Sequence, residues 1–328
     1  MSYSITRSAH LELRSTDLDR SHEFYVKHLG FHEIHRESDR LYLGGLQERD
    51  LYSLVLRKAP SGGVGHMAMR VFDPDDLTRI AELYEAHGLP IRWLEPDEDY
   101  AQGRALRTQD PNGLPVEFFH RIEQRAWKLQ KFEEYRGAHI MNLDHLNSQV
   151  PEVQKSYDWW MKQMGFYCSE YTVTDDQPEK LWAAWLHRKQ NIHDLSLMTG
   201  IGPRLHHVGY WVADTNSVLR ACDILAAVGL RDCIERGPGR HGLSNAFFVY
   251  LRDPDGNRIE LYTGDYPIPD PDFKPIRWTL NDPRRQTFWG HIAPKSWFDE
   301  AMRLESPLTG ELIETRQPNM QDRPEFVI

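Results

Sequence analysis

Two histidines and one glutamate are spaced so that they could bind a single metal ion. His145 and His207 are 62 positions apart, and Glu260 follows His207 by 53. Each lies in a short apolar segment typical of a β-strand. Two imidazoles and one carboxylate form the facial ligand set of non-haem Fe(II) oxygenases, which leaves the opposite face of the metal open. These residues therefore predict a catalytic site for Fe(II) or Mn(II).

A second set of the same three residue types occurs earlier in the chain. His10, His66 and Glu117 occupy matching positions, with gaps of 56 and 51 residues. A single histidine in a strand is more often a hydrogen-bonded structural residue than a metal ligand. Spacing alone therefore offers two candidate sites and does not choose between them.

The neighbouring side chains favour the later set. His193 lies fourteen residues before its second histidine and Tyr250 lies ten residues before its glutamate, while the corresponding positions of the earlier set hold Tyr52 and Arg107. Histidine and tyrosine side chains can transfer protons to and from a substrate. We therefore expect catalysis in the second half of the chain, and interpret the earlier set as a relic of duplication.

The ligand positions recur because the chain repeats one unit four times. Each unit has an apolar segment carrying a histidine, then an amphipathic helix that ends at a glycine. The spacing from histidine to glycine is 20, 22, 20 and 22 residues in the pairs His10–Gly30, His66–Gly88, His145–Gly165 and His207–Gly229. Segments with period-two hydrophobicity follow, so each unit is predicted to be one strand, one helix and about three strands.

Turn sequences and the repeat together predict the architecture. Two D-P-x-G sequences, beginning at Asp110 and Asp253, are typical of tight turns between strands. We expect an α+β fold of four βαβββ modules paired into two domains. The predicted segments are a non-catalytic two-module domain over 5–120, a helical-looking linker over 121–140, a catalytic two-module domain over 141–264 and an irregular C-terminal tail over 265–328.

Composition excludes several classes of protein. The 328 residues include 39 Lys and Arg against 49 Asp and Glu, a net charge of −10, which argues against general nucleic-acid binding. No run of apolar residues is long enough to span a membrane, and the first residues lack the apolar segment of a signal peptide. The scattered Cys168, Cys222 and Cys233 indicate neither a disulfide framework nor a metal pair. A cytoplasmic enzyme that does not bind nucleic acid or membranes is expected.

The second half also resembles a known family. The segments ERGPGRHGLSNAFFVYLRDPDGNRIELYTGDY, AAWLHRKQNIHD and RRQTFWG resemble the extradiol catechol dioxygenases of the vicinal oxygen chelate superfamily. The likeness is strong from 141 to about 290 and weak before that. It implies the vicinal oxygen chelate, or glyoxalase–bleomycin resistance-like, fold. It also implies cleavage of a carboxylate-bearing catechol by O₂ at an iron or manganese site in aromatic catabolism, and a homotetramer.

The resemblance implies a role for each candidate residue. It assigns metal binding to His145, His207 and Glu260, proton transfer and substrate activation to His193, Tyr250 and His241, and substrate binding to Asn147, Trp185, Arg236 and Arg285. His206 would be structural. A guanidinium suits a carboxylate in shape and charge. The spacing after Glu260 is one residue shorter than in the family, which leaves Arg284 as an alternative to Arg285.

Three other functions fit parts of the pattern. A different metalloenzyme of the superfamily, acting on another catechol or as a hydroxyphenylpyruvate dioxygenase, would keep the ligand set, although the ring-substrate residues His193 and Tyr250 argue against the latter. A glyoxalase-type isomerase would need a fourth protein ligand. A metal-free binding module would need no ligand set. The ligand types suit both Fe(II) and Mn(II), and so do not choose between them.

Overall fold

The computed structural model of the chain describes residues 3–270 and 272–327, and it contains four modules of one strand, one helix and three strands. The strands are β1 (Ile5–Ser15), β2 (His32–Arg36), β3 (Arg40–Gly44), β4 (Leu54–Lys58), β5 (Gly63–Val71), β6 (Ile91–Leu94), β7 (Ala105–Gln109), β8 (Pro115–Phe119), β9 (Ile140–Val150), β10 (Tyr167–Val173), β11 (Leu181–His187), β12 (Leu195–Thr199), β13 (Arg204–Val212), β14 (Ile234–Arg240), β15 (Phe247–Arg252), β16 (Arg258–Thr263), β17 (Ile276–Thr279) and β18 (Met302–Arg303). The helices are α1 (Leu18–His22), α2 (Asp75–Ala86), α3 (Val153–Asp158), α4 (Thr215–Ala227), α5 (Pro283–Gln286) and α6 (Lys295–Asp299).

The modules pair into two mixed sheets. The first sheet has the order β2-β3-β4-β1-β5-β8-β7-β6, and the second has the order β14-β15-β16-β13-β9-β12-β11-β10-β17, with β18 on β13. In each sheet the first strands of two modules pair antiparallel at the centre, β1 with β5 and β9 with β13. The α+β fold of four βαβββ modules is confirmed.

The alternating spacing of the repeat corresponds to two kinds of helix. In the first and third modules, α1 and α3 continue into π-helical turns, Glu23–His28 and Trp159–Gln163, whereas α2 and α4 are α-helical throughout. Each helix is followed by a glycine with positive φ, at positions Gly30, Gly88, Gly165 and Gly229. This left-handed conformation costs glycine little, which explains why the repeat ends there. No helix among the described residues is long and apolar enough to cross a bilayer.

Each of the two D-P-x-G turns contacts a helical segment in the other half of the chain. The Asp253 carboxylate accepts a hydrogen bond at 2.9 Å from the Tyr25 hydroxyl, in the π-helical turn that follows α1. In the reciprocal contact, Ser156 of α3 donates to Asp110 at 2.6 Å. The largest buried apolar cluster also draws side chains from both halves, including Leu11 and Leu261. The halves therefore share one core.

The linker differs from the helical segment that its sequence predicts. Within residues 121–140 the only helical element is a short 3₁₀ turn, Phe132–Glu134. The backbone N–H groups of Arg125 and Lys128 instead donate to carbonyls of Arg49 and Leu46. Long-range partners thus replace the bonds that a helix would make within itself. In the tail, β17 and β18 extend the second sheet, and most of the other described residues lie outside helices and strands.

Candidate active site

Three adjacent strands bring His145, His207 and Glu260 together. Gly209 of β13 pairs in register with His145 of β9 on one side and with Glu260 of β16 on the other. The His145 Nε2 atom lies 3.3 Å from His207 Nε2 and 3.0 Å from Glu260 Oε2, and His207 Nε2 lies 3.2 Å from the same oxygen. Neighbouring ligands on an octahedron with bonds of about 2.1 Å are separated by about 3.0 Å. The three buried side chains fit a facial metal site.

A glycine makes room for one of these ligands. A Cβ atom built on Gly209 would lie 2.2 Å from Cε1 of the His145 imidazole, which is closer than any real contact. The ring therefore lies directly over the backbone of the central strand. Any side chain at this position would displace the ring.

The Nδ1 atoms of His145 and His207, which are not the atoms facing the other ligands, also have partners. Asp144 Oδ2 lies 3.1 Å from His145 Nδ1, and His206 Nδ1 lies 2.7 Å from His207 Nδ1. His206 Nε2 in turn lies 2.8 Å from the carbonyl oxygen of Trp297 in the tail. Such partners fix the tautomer and orientation of metal-binding histidines. Asp144 and Trp297 were missed in the sequence, although the acidic residue directly before His145 was a usable signal.

The charge of Glu260 is stabilised by its surroundings. Burial alone would raise the pKa of this carboxyl, but hydrogen bonds with the three imidazoles around it outweigh burial and hold the pKa well below its usual range. One of the three is His241, whose Nε2 lies 3.6 Å from Glu260 Oε1. The carboxylate is therefore anionic and suited to a divalent cation.

The predicted proton-transfer residues lie beside the ligand set. The His193 ring packs against the His145 ring at a centroid distance of 4.0 Å. Burial, reinforced by the nearby His145, holds the pKa of His193 well below its usual range, so this imidazole is neutral. On another side, the Tyr250 hydroxyl lies 2.9 Å from His241 Nε2, while His241 Nδ1 binds the Gln286 carbonyl. These groups supply a neutral base and an oriented hydroxyl.

Two buried guanidinium groups line the same cavity with unpaired nitrogens. The Nε and Nη1 atoms of Arg236 and the Nε and Nη2 atoms of Arg285 have no hydrogen-bond partner among the described residues. Burial lowers the pKa of Arg236 to about 10 and that of Arg285 to about 9, with Arg236 adding to the effect on Arg285. Unpaired buried cations are costly, so the pair is arranged for an anionic ligand.

All the predicted site residues line one cavity. Besides the groups above, these include Asn147 and Trp185. Arg284, the sequence alternative to Arg285, is exposed and binds Asp282. Trp297 also lines the cavity, and the Arg236 guanidinium lies 4.5 Å from the centre of its ring. Nothing in the irregular tail sequence marked this tryptophan.

Comparison with known proteins agrees with this geometry. Residues 7–118 and 142–261 match the Glyoxalase/Bleomycin resistance protein/Dioxygenase superfamily. The chain is 31% identical to a manganese-dependent 2,3-dihydroxybiphenyl 1,2-dioxygenase from Geobacillus genomosp. 3, over 88% of this chain and 95% of the relative. It is 30% identical to a metapyrocatechase from Pseudomonas sp. (strain CF600), with the same coverage of both.

A solved structure shows the same fold over nearly the whole chain. The anaerobic substrate complex of homoprotocatechuate 2,3-dioxygenase from Brevibacterium fuscum, which contains 3,4-dihydroxyphenylacetate, has a TM-score of 0.92 and 36% identity, covering 96% of this chain and 98% of that one. A variant of that enzyme reaches a TM-score of 0.94. The chain therefore belongs to the glyoxalase/bleomycin resistance protein/dioxygenase superfamily, among its metal-dependent extradiol ring-cleaving dioxygenases.

Proposed function

We propose that this extradiol dioxygenase acts on 3,4-dihydroxyphenylacetate and cleaves the ring bond between carbons 2 and 3. The observation that carries the proposal is the pair of buried, unpaired guanidiniums of Arg236 and Arg285 in the cavity of the ligand set. A catechol held at the metal would extend its side chain away from the diol. A carboxylate at the end of that side chain would satisfy both arginines through charge-assisted hydrogen bonds.

The relatives differ in substrate, and this difference makes the arginines informative. The substrates named for two relatives, 2,3-dihydroxybiphenyl for one and 3,4-dihydroxyphenylacetate for the other, differ in whether they carry a carboxylate. Binding an uncharged catechol would leave the free nitrogens of both buried guanidiniums without an anionic partner. The cavity of this chain therefore favours the acidic catechol, and another catechol is the second candidate.

The ligand set is proposed to be His145, His207 and Glu260, with Fe(II) or Mn(II) as the ion. Such an ion supplies Lewis acidity and a template for catechol and O₂. Glu260 contributes the negative charge of the set. Asp144 and His206 keep both imidazoles in position through their second nitrogens.

His193 is proposed to carry the proton during ring cleavage. Because its imidazole is neutral and its Nδ1 has no partner among the described residues, it can accept a proton from a catechol hydroxyl. Returning that proton to oxygen assists bond breaking. Both atoms of O₂ enter the product, 5-carboxymethyl-2-hydroxymuconate semialdehyde.

Tyr250 and His241 are proposed to orient the substrate oxygen. Burial and the negative charge of Glu260 raise the pKa of Tyr250 well above its usual range, so the hydroxyl keeps its proton. Because His241 Nδ1 donates to the Gln286 carbonyl, the Tyr250 hydroxyl donates to His241 Nε2, which leaves the Tyr250 oxygen oriented to accept a hydrogen bond from a substrate hydroxyl. Asn147 and Trp185 complete the wall of the cavity. A cytoplasmic homotetramer remains the expected state of the protein.

The substrate proposal is tested by replacing the two arginines. Arg236→Met and Arg285→Met should each raise KM for 3,4-dihydroxyphenylacetate at least about tenfold, as expected for loss of a charged hydrogen bond worth about 1.5–3 kcal/mol. KM for 4-methylcatechol, which lacks the carboxylate, should change less than about twofold. Oxygen uptake measures both, and Arg284→Met is the matched control. Equal losses with both catechols would contradict the carboxylate assignment.

A further inference from the structure

The first sheet brings its own His/His/Glu set together. His10 of β1, His66 of β5 and Glu117 of β8 are buried, and their ligand atoms all lie within 4.8 Å of one another. The two Nε2 atoms are 3.3 Å apart, and each lies 3.5 Å from one oxygen of Glu117. Ligands on a tetrahedron with bonds of about 2.1 Å are separated by about 3.4 Å. The spacing is thus compatible with a divalent metal.

A guanidinium lies against these same ligand atoms. Arg107 Nε donates to Glu117 Oε2 at 2.7 Å, and Arg107 Nη2 lies 3.4 Å from His66 Nε2. The same side chain is paired with Asp99. A divalent ion bound to His66 and Glu117 would lie close to a fixed positive charge, and the two would repel each other strongly in a buried site.

We propose that His10, His66 and Glu117 of the N-terminal domain form a latent divalent-metal site, and that Arg107 keeps it closed in the wild type by acting as a built-in cation. The guanidinium neutralises the buried carboxylates of Glu117 and Asp99, which is the role that a metal ion would otherwise perform. It therefore balances the negative charge of the ligand set without any metal.

The position of Arg107 supports this assignment. Arg107 pairs in register with Glu117, and Tyr250 pairs in register with Glu260. At the same place in the sheet, the first site therefore has a cation and the second has a neutral hydroxyl. A cleft with about 300 Å³ of empty space, lined by His66, Arg107 and Glu12 among others, also reaches the site and offers a route for an ion.

The test counts metal ions in the full chain after equilibrium dialysis against Zn²⁺. Arg107→Gln removes the charge and should bind one more Zn²⁺ per chain than the wild type. Arg107→Lys keeps a cation at this position and should bind the same number as the wild type. The double variant Arg107→Gln with His66→Gln should lose the additional ion, which assigns it to this site.

Two results would overturn the proposal. One is a folded Arg107→Gln protein that binds no additional Zn²⁺. The other is a wild-type protein that already holds an ion which His66→Gln removes. Ring-cleaving activity at the other site reports folding of each variant, and Arg107→Tyr, which copies Tyr250, replaces Arg107→Gln if the latter does not fold. Because the readout is a difference from the wild type, it is independent of the catechol substrate.

Discussion

Each half of the molecule contains a set of two histidines and one glutamate, but the residues around the two sets differ. In the second sheet, Asp144 and His206 stand directly before the two histidines and hold their Nδ1 atoms. In the first sheet the same positions are Ala9 and Gly65, and His10 Nδ1 has no partner among the described residues. Ligand residues alone therefore do not define a catalytic centre.

The central strand shows a second difference. Gly209 lies between His145 and Glu260 in the second sheet, and Ala68 lies between His10 and Glu117 in the first, in the same register. Small differences around the repeated ligand set thus distinguish the two sites. The ligand set in the first sheet already lies against the positive charge of Arg107, and the second sheet has the neutral Tyr250 at that position.

The largest contrast should appear when the second histidine of each set is replaced. His207→Gln removes a ligand and should lower kcat/KM for ring cleavage by at least about 10³-fold, since metal assistance is worth several kcal/mol. His66→Gln, at the matched position, should leave kcat/KM within about twofold. Steady-state oxygen uptake and metal content of both variants measure the difference. A large loss in His66→Gln would show that catalysis depends on both sets.

The next contrast concerns the residues fourteen positions before those histidines. His193→Phe should lower kcat by about 10²-fold, the lower end of the contribution of acid–base catalysis, while metal content and KM stay near wild type. Tyr52→Phe removes only a hydrogen bond to the Tyr100 carbonyl and should leave kcat unchanged. Single-turnover kinetics separate binding from chemistry. An unchanged turnover rate in His193→Phe would remove the proton-transfer role.

The smallest expected effect comes from replacing the small residue that lies between the histidine and the glutamate in each sheet. Gly209→Ala should displace the His145 ring and weaken metal affinity by about 10- to 100-fold, as seen when the orientation of a ligand is disturbed. Ala68→Gly should leave activity unchanged and cost about 0.5–1 kcal/mol in stability. Metal titration and thermal unfolding measure these outcomes. Normal metal affinity in Gly209→Ala would contradict the close packing of ring and backbone.

The sequence predicted much of this arrangement because the repeat places equivalent residues at equivalent points of a sheet. His145, His207 and Glu260 come together since the third and fourth modules supply three neighbouring strands. Trp297 could not be foreseen, because its place against His206 depends on how an irregular tail folds over the sheet. The prediction of a helical linker was wrong for a related reason. The backbone groups of this segment bind residues of the first domain that are remote in sequence.

The reciprocal turns at Asp110 and Asp253 make each half of the chain depend on the other for folding. Each turn places its carboxylate under a helix of the other half, so removing one half would leave a buried acid without its partner. Burial raises the pKa of Asp253 to about 6 even with the Tyr25 hydroxyl and Asn257 bound to it. The N-terminal half thus acts as a permanent folding partner of the second half through this contact surface.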